Sequence, residues 1–149
     1  EDERAADALQ RARLAEANVP PAMRPRLAAQ RASLGDDPAV ALAAWRALLR
    51  QAPDDAEAAI QLARAQGAAG EAQAAIDGLL ALSARDGNDP RVWYELGKAS
   101  ILQGNAQQAV DDYLTRALVQ YKRGRDPYGQ AETINALGVG YGRLGQTAD

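Results

Sequence analysis

The sequence predicts an all-α fold built from stacked antiparallel helix pairs, and three observations carry that prediction. The first is local. Trp93, Leu96 and Ser100 lie three and four residues apart and so share one helical face, with Gly97 beside it. Gly104 interrupts the pattern with a residue that tolerates positive φ, and Ala109, Tyr113 and Ala117 open a second periodic run. The second observation is recurrence. Stepping back 34 residues takes Leu96 to Leu62, Gly104 to Gly70, Ala109 to Ala75 and Tyr113 to Leu79; a further step reaches Ala41 and Trp45. Stepping forward 41 residues takes Leu96-Gly97 to Leu137-Gly138 and Gly104 to Gly145, with Tyr141 in the place of Ser100. The third is composition. Alanine is abundant, Val and Ile are scarce, and Phe is absent, which suits helices packed at short distance.

The elements follow in order. Residues 3 to 18 predict a helix whose stripe is Ala5, Ala8, Leu9, Ala12 and Ala15; Asn18-Val19-Pro20-Pro21 ends it. It reads equally as the second helix of an earlier repeat or as a free-standing capping helix. A helix at 22–34 follows, with Pro25 near its start. Asp37-Pro38 opens its partner, which runs to about Gln51 with Val40, Ala41, Ala44, Trp45 and Leu48 on one face. Asp54 or Asp55 then caps a helix at 55–68 whose inward stripe is Ala59, Leu62, Ala63 and Gln66. Its partner at 71–84 answers with Ala75, Leu79 and Leu82, and Gly78 within it is expected to admit a close neighbour. Asp86-Gly87-Asn88-Asp89-Pro90 is a turn and cap leading into the Trp93 helix. The following helix is expected to continue through Val110, Leu114, Leu118 and Tyr121 to Lys122 or Arg123, about one turn longer than its counterpart, which accounts for the step of 41. A last helix at 128–144 carries Ile134, Leu137, Gly138 and Tyr141 inward, and its outer side has no cover from this chain.

Composition narrows the chemistry. The net charge is -3, without the basic excess of a nucleic-acid binder. Arginine outnumbers lysine 15 to 2, which is read as a base-composition effect. There is no long apolar run and no visible signal peptide, so the reading is of a soluble region, cytoplasmic in preference to periplasmic. Cysteine and histidine are both absent, which removes disulfides, the commonest zinc ligands and the commonest general base. Asp36-Asp37 and Asp54-Asp55 sit at helix starts, where carboxylates serve as caps; Asp111-Asp112 lie on an exposed helix face. Trp45 and Trp93 fall at core positions. Gly138-x-Gly140-x-Gly142 lies within a helix and follows no strand, so it lacks the context of a nucleotide loop. Lys122 to Arg125 is a basic loop beside Asp126. No catalytic, metal-binding or cofactor-binding residue is predicted.

The pattern W-x2-L-G-x2-(Y) followed by A-x3-(F), held at a 34-residue phase, resembles the tetratricopeptide repeat, with Ser100 replacing the usual aromatic and Tyr113 standing for Phe. The resemblance implies one domain over 1–149, a right-handed superhelix of about three and a half repeats. Its parts are a preceding helix (1–19), a degenerate repeat (22–53), a second (54–89), a third with an extended second helix (90–127) and the first helix of a fourth (128–149). Extended repeats of this kind resemble the longer variants found in some scaffold and signalling proteins. The family's first helices line a concave groove for partner peptides. By position that groove is expected to display Ile60, Arg64 and Ala68, then Tyr94, Lys98, Ile101 and Leu102, then Asn135 and Val139. Arg64 and Lys98 should be neighbours, able to receive an acidic group beside Tyr94 or to stand as solvated charges. The family's carboxylate clamp is not carried over, because Ile60 and Tyr94 occupy places where it requires polar groups. The expected function is a non-catalytic protein-interaction scaffold or sensor module, part of a larger bacterial protein. The alternatives are a self-assembly module and an accessory region of a signalling protein whose catalytic or DNA-binding domain lies elsewhere.

Overall fold

Four aspartates set the starts of the helices. Asp37 accepts from Ala39 N, Asp55 from Ala58 N and Asp89 from Arg91 N, each at 2.9 Å, and Asp126 accepts from Gly129 N at 3.0 Å. Each satisfies an amide that the first helical turn leaves unpaired, worth about 1 kcal/mol. In the computed structural model, which describes residues 19–147 and side chains as far as 145, these caps open α2 (Pro38–Gln51), α3 (Ala56–Ala68), α5 (Pro90–Leu102) and α7 (Pro127–Thr147). Between them stand α1 (Arg24–Ala32), entered by the 3-10 turn Pro21–Met23, α4 (Ala72–Asp86) and α6 (residues 106–123). The helix expected at 3–18 lies outside the described residues.

The turns are built alike. Gly70 and Gly104 end α3 and α5 at φ +81° and +90°. In each case the next amide reaches back five residues, Glu71 N to Gln66 O and Asn105 N to Ser100 O, both at 2.8 Å. This is the Schellman closure, and it calls for a residue without a Cβ at the left-handed position. The third such turn closes Asp126 N on Tyr121 O at 3.0 Å, with Arg125 at φ +54° in the glycine position.

Every helix packs against the next one in the chain, so α1/α2, α3/α4 and α5/α6 are antiparallel hairpins. The first helices of successive hairpins also touch, α3 with α5 and α5 with α7, whereas the second helices α2, α4 and α6 do not touch one another. The array therefore bends toward its first helices, and α3, α5 and α7 form the inner wall. Equivalent positions take equivalent seats. Ala41, Ala75 and Ala109 are buried, as are Trp45, Leu79 and Tyr113, at successive steps of 34. Leu62, Leu96 and Leu137 each pack into one of three successive cores. Trp45 Nε1 donates to Ser33 Oγ and Trp93 Nε1 to Gly87 O, both at 2.7 Å, so each indole is held in packing as expected.

Four readings are corrected. Val40 is exposed, and Leu42 fills the core of the first hairpin instead. Gly78 faces solvent with nothing near it and admits no neighbour. The second helix of the third hairpin reaches Arg123 as expected, but Ala109–Tyr113 is a π-segment, in which Leu114 N bonds to Ala109 O. Finally, of the predicted face of α7 only Leu137 packs into a core; the helix otherwise buries Gly129, Thr133, Ala136 and Gly140, while Ile134 is 56% exposed, Tyr141 60%, and Gly138 meets nothing. The reason is structural. Ile134 and Gly138 correspond to Trp93 and Gly97, which pack on Tyr113 and Leu114 of the second helix of their own hairpin. Among the described residues no second helix follows α7.

Candidate functional site

The inner wall is polar where α3 and α5 meet. Glu95 projects from α5 and is only 4% exposed. Arg64 Nε on α3 donates to its Oε1 at 2.7 Å, and Lys98 Nζ, one turn along α5, lies 3.2 Å from its Oε2. The same ammonium stands over the Tyr94 ring, 5.1 Å from its centroid, in the range of a cation–π contact. Burial works against the Arg64 charge, but Glu95 outweighs it and the guanidinium is held more firmly protonated than usual. Burial, then the charges of Glu132 and Glu95, pushes the Tyr94 hydroxyl up to about 12.

A second charged row crosses the wall nearer the helix starts. Arg91 Nη1 donates to Glu57 at 2.6 Å, and its Nη2 to the cap residue Asp89 at 2.7 Å. Burial alone would raise the Glu57 carboxyl, but Gln61 and Arg91 reverse this and hold it below its ordinary 4.5. Glu57 and Arg91 are separated by the 34-residue step, so the ion pair joins equivalent positions of adjacent hairpins. The step of 41 carries the row to Glu132 on α7.

The predicted wall residues divide. Arg64 and Lys98 are neighbours, as stacking requires, but Glu95 bridges them, and between them the two cations retain one unmatched positive charge. Leu102 is 64% exposed, and Ala68, Asn135 and Val139 are also open to solvent. Ile60 is corrected: it is fully buried among Ala63, Leu79, Val92 and Leu96 and cannot reach a ligand. The close approach of α3 to α5 covers the first turns of α3, so its open face begins only at Arg64. Tyr94 is mostly buried, and Ile101 is half-buried near Gly140 of α7. Sequence reasoning missed Glu95 and Glu132. Glu132 was accessible by stepping from Arg91, while Glu95 had only its spacing of three from Lys98 as a signal.

Among the described residues no group of acidic side chains could hold a metal ion, and no helix is long and apolar enough to cross a membrane. A search of curated proteins returned no match. Residues 35–91, from the turn before α2 into the start of α5, match the family model described as tetratricopeptide repeat. That family is in general a non-catalytic protein-interaction repeat. The match, the shared Schellman turns and the equivalent core seats agree: residues 35–91 belong to the tetratricopeptide repeat family, and the helices that follow continue its helix-pair solenoid.

Proposed function

We propose that this domain is a non-catalytic scaffold or sensor module that holds a partner polypeptide against the wall formed by α3, α5 and α7. One observation carries the reading. The row Arg64, Lys98, Leu102, Asn135 and Val139 stands open on three helices whose opposite faces are locked into the cores. Exposed Leu102 and Val139 offer apolar area to a partner, and the unmatched charge at Arg64 and Lys98 favours an acidic group beside it. Because the backbone is fixed by packing, little ordering would oppose association.

The test has two stages. A photo-crosslinking residue at Leu102 or Val139, with Ala81 on the outer helix α4 as control, identifies the partner. Calorimetry then compares wild type with Arg64→Glu/Lys98→Glu. Lost affinity with unchanged helicity supports the wall; unaltered affinity moves the site elsewhere.

A second reading rests on α7. From Thr133 to Gly142 it carries no charged side chain, and Ile134 and Tyr141 are exposed along it. Such a face suits a partner helix, including one from a second copy. Sedimentation over a wide concentration range separates the readings: mass rising with concentration in wild type, and not in Ile134→Lys, supports self-association through α7.

A further inference from the structure

A cavity of about 690 Å³ opens where the end of α6, the starts of α5 and α7, and the middle of α3 converge. Its charged lining includes Arg64, Arg91, Arg123, Asp89, Asp126 and Glu132. Counted by type, the charges balance, three guanidiniums against three carboxylates. Counted by which of them are half-buried without a partner, one carboxylate remains.

Arg64 is bound by Glu95, and Arg91 by Asp89 and Glu57. Asp126 caps Gly129. Arg123 is exposed in the last turn of α6, where the carbonyl ends of the helix favour a cation. Glu132 differs from all of these. It is half-buried and makes no hydrogen bond or ion pair, and Arg64, a cation that feels its charge, is already engaged by Glu95. A carboxylate that no protein donor occupies keeps its acceptor oxygens for a ligand. The surrounding potential has the same sign. Burial first, then Asp89, Glu132, Asp126 and Glu95, pushes the Tyr121 hydroxyl at the cavity wall up to about 12. A further acceptor lies close by: Gln120 lines the cavity, donates its Nε2 to Gly87 O at 2.9 Å, and leaves its buried Oε1 without a donor. Tyr128, one turn before Glu132 on α7, puts an exposed ring on the cavity rim.

We infer that this cavity receives a basic side chain, lysine or arginine, of the partner polypeptide, with the Glu132 carboxylate as its ion-pair acceptor and the Tyr128 ring beside it. The inference rests on the reading of the wall as a partner surface and adds a chemical requirement to it. A fitting partner carries an acidic group toward Lys98 and a basic group toward Glu132, and this alternation fixes its direction along the wall.

The site is tested without knowing the partner. Nα-acetyl-arginine methylamide is titrated into the domain while backbone amide resonances of Arg91, Gly124, Gly129 and Glu132 are followed. Parallel titrations use the neutral isostere Nα-acetyl-citrulline methylamide and the acidic Nα-acetyl-glutamate methylamide. Saturable shifts are expected with the arginine probe alone, weakening in high salt and falling at least about tenfold in affinity in Glu132→Gln. Equal response to arginine and citrulline, preference for glutamate, or an unchanged response in Glu132→Gln would overturn the inference. The three-probe comparison is made on wild type, so it stands even if the variant folds poorly. The outcome is also separable from the broader reading. A wall that binds its partner while the cavity ignores the arginine probe refutes only the basic-side-chain site. A cavity that takes the probe while Arg64→Glu/Lys98→Glu leaves partner affinity unchanged refutes only the wall.

Discussion

Replacing Gly97 by alanine and replacing Gly138 by alanine should shift stability in opposite directions. The two glycines are equivalent, one step of 41 apart, and both lie mid-helix. Alanine in a helix interior is intrinsically favoured over glycine by about 1 kcal/mol. At Gly138 nothing opposes that gain, because a Cβ there meets no atom within 4 Å. At Gly97 a Cβ would lie 2.5 Å from Leu114 Cγ. Leu114 is fully buried, and a clash at Cγ cannot be relieved by turning the end of the side chain alone. Overpacking of this kind costs about 1–3 kcal/mol, and so close a contact belongs at or above the upper end. Gly97→Ala should therefore lose about 1–2 kcal/mol net, lowering Tm by about 2–8 °C, while Gly138→Ala should raise it by about 2–4 °C. Circular-dichroism melts at matched dilute concentration measure both. A third measurement isolates the cause. In a Leu114→Ala background the clash is gone, so Gly97→Ala should recover its helix gain, giving a coupling of about 2–3 kcal/mol. Shifts of the same sign for the two glycines, or a Gly97→Ala penalty that persists without Leu114, would refute the reasoning.

Arg125→Gly should stabilise by about 0.5–1 kcal/mol, read as a rise in urea midpoint, because a side chain at φ +54° gives way to the residue that this closure favours. Glu95→Gln should destabilise by about 1–3 kcal/mol in the same assay, since Arg64 and Lys98 lose their shared carboxylate at a buried position. In alkaline titration followed at 295 nm, Tyr94 and Tyr121 should ionise near 12, well after an ordinary phenol at 10.0. A raised native pKa means that the unfolded chain releases these protons first, so their contribution is complete below pH 10 and is lost as pH rises toward 12. Ionisation of all five tyrosines near 10 would contradict their placement.

The frame was legible because its signals are short-range and repeated. Glycines at 70 and 104, aspartates at 37, 55 and 89, and alanines at 41, 75 and 109 each state a backbone or packing requirement that needs no tertiary knowledge. Core positions such as Ala41, Trp45, Leu79 and Tyr113 were predicted correctly, whereas Val40 and Gly78 were not. The predicted faces also failed at Ile134 and Tyr141, whose pattern describes a partner absent from the described residues, and at Ile60, where the approach of α3 to α5 overrode helical phase. Side-chain electrostatics were the least visible. Nothing local marks Glu95 as the bridge between Arg64 and Lys98, since their pairing depends on one helix being stacked on another. The π-segment likewise left no trace in the periodicity of Val110, Leu114, Leu118 and Tyr121.

That segment has a consequence for how the domain could have changed over time. A π-turn is an α-helix with one residue inserted, and here Thr115 Oγ1, 2.7 Å from Val110 O, donates to a carbonyl within the widened loop. The wide turn takes up that residue locally, so deleting Asp111 or Asp112, neither of which is in the core, would restore regular winding while Leu114, Ala117 and Tyr121 keep their seats between α5 and α7. A change of length is thus confined to one turn, and the seat of the final helix does not depend on it.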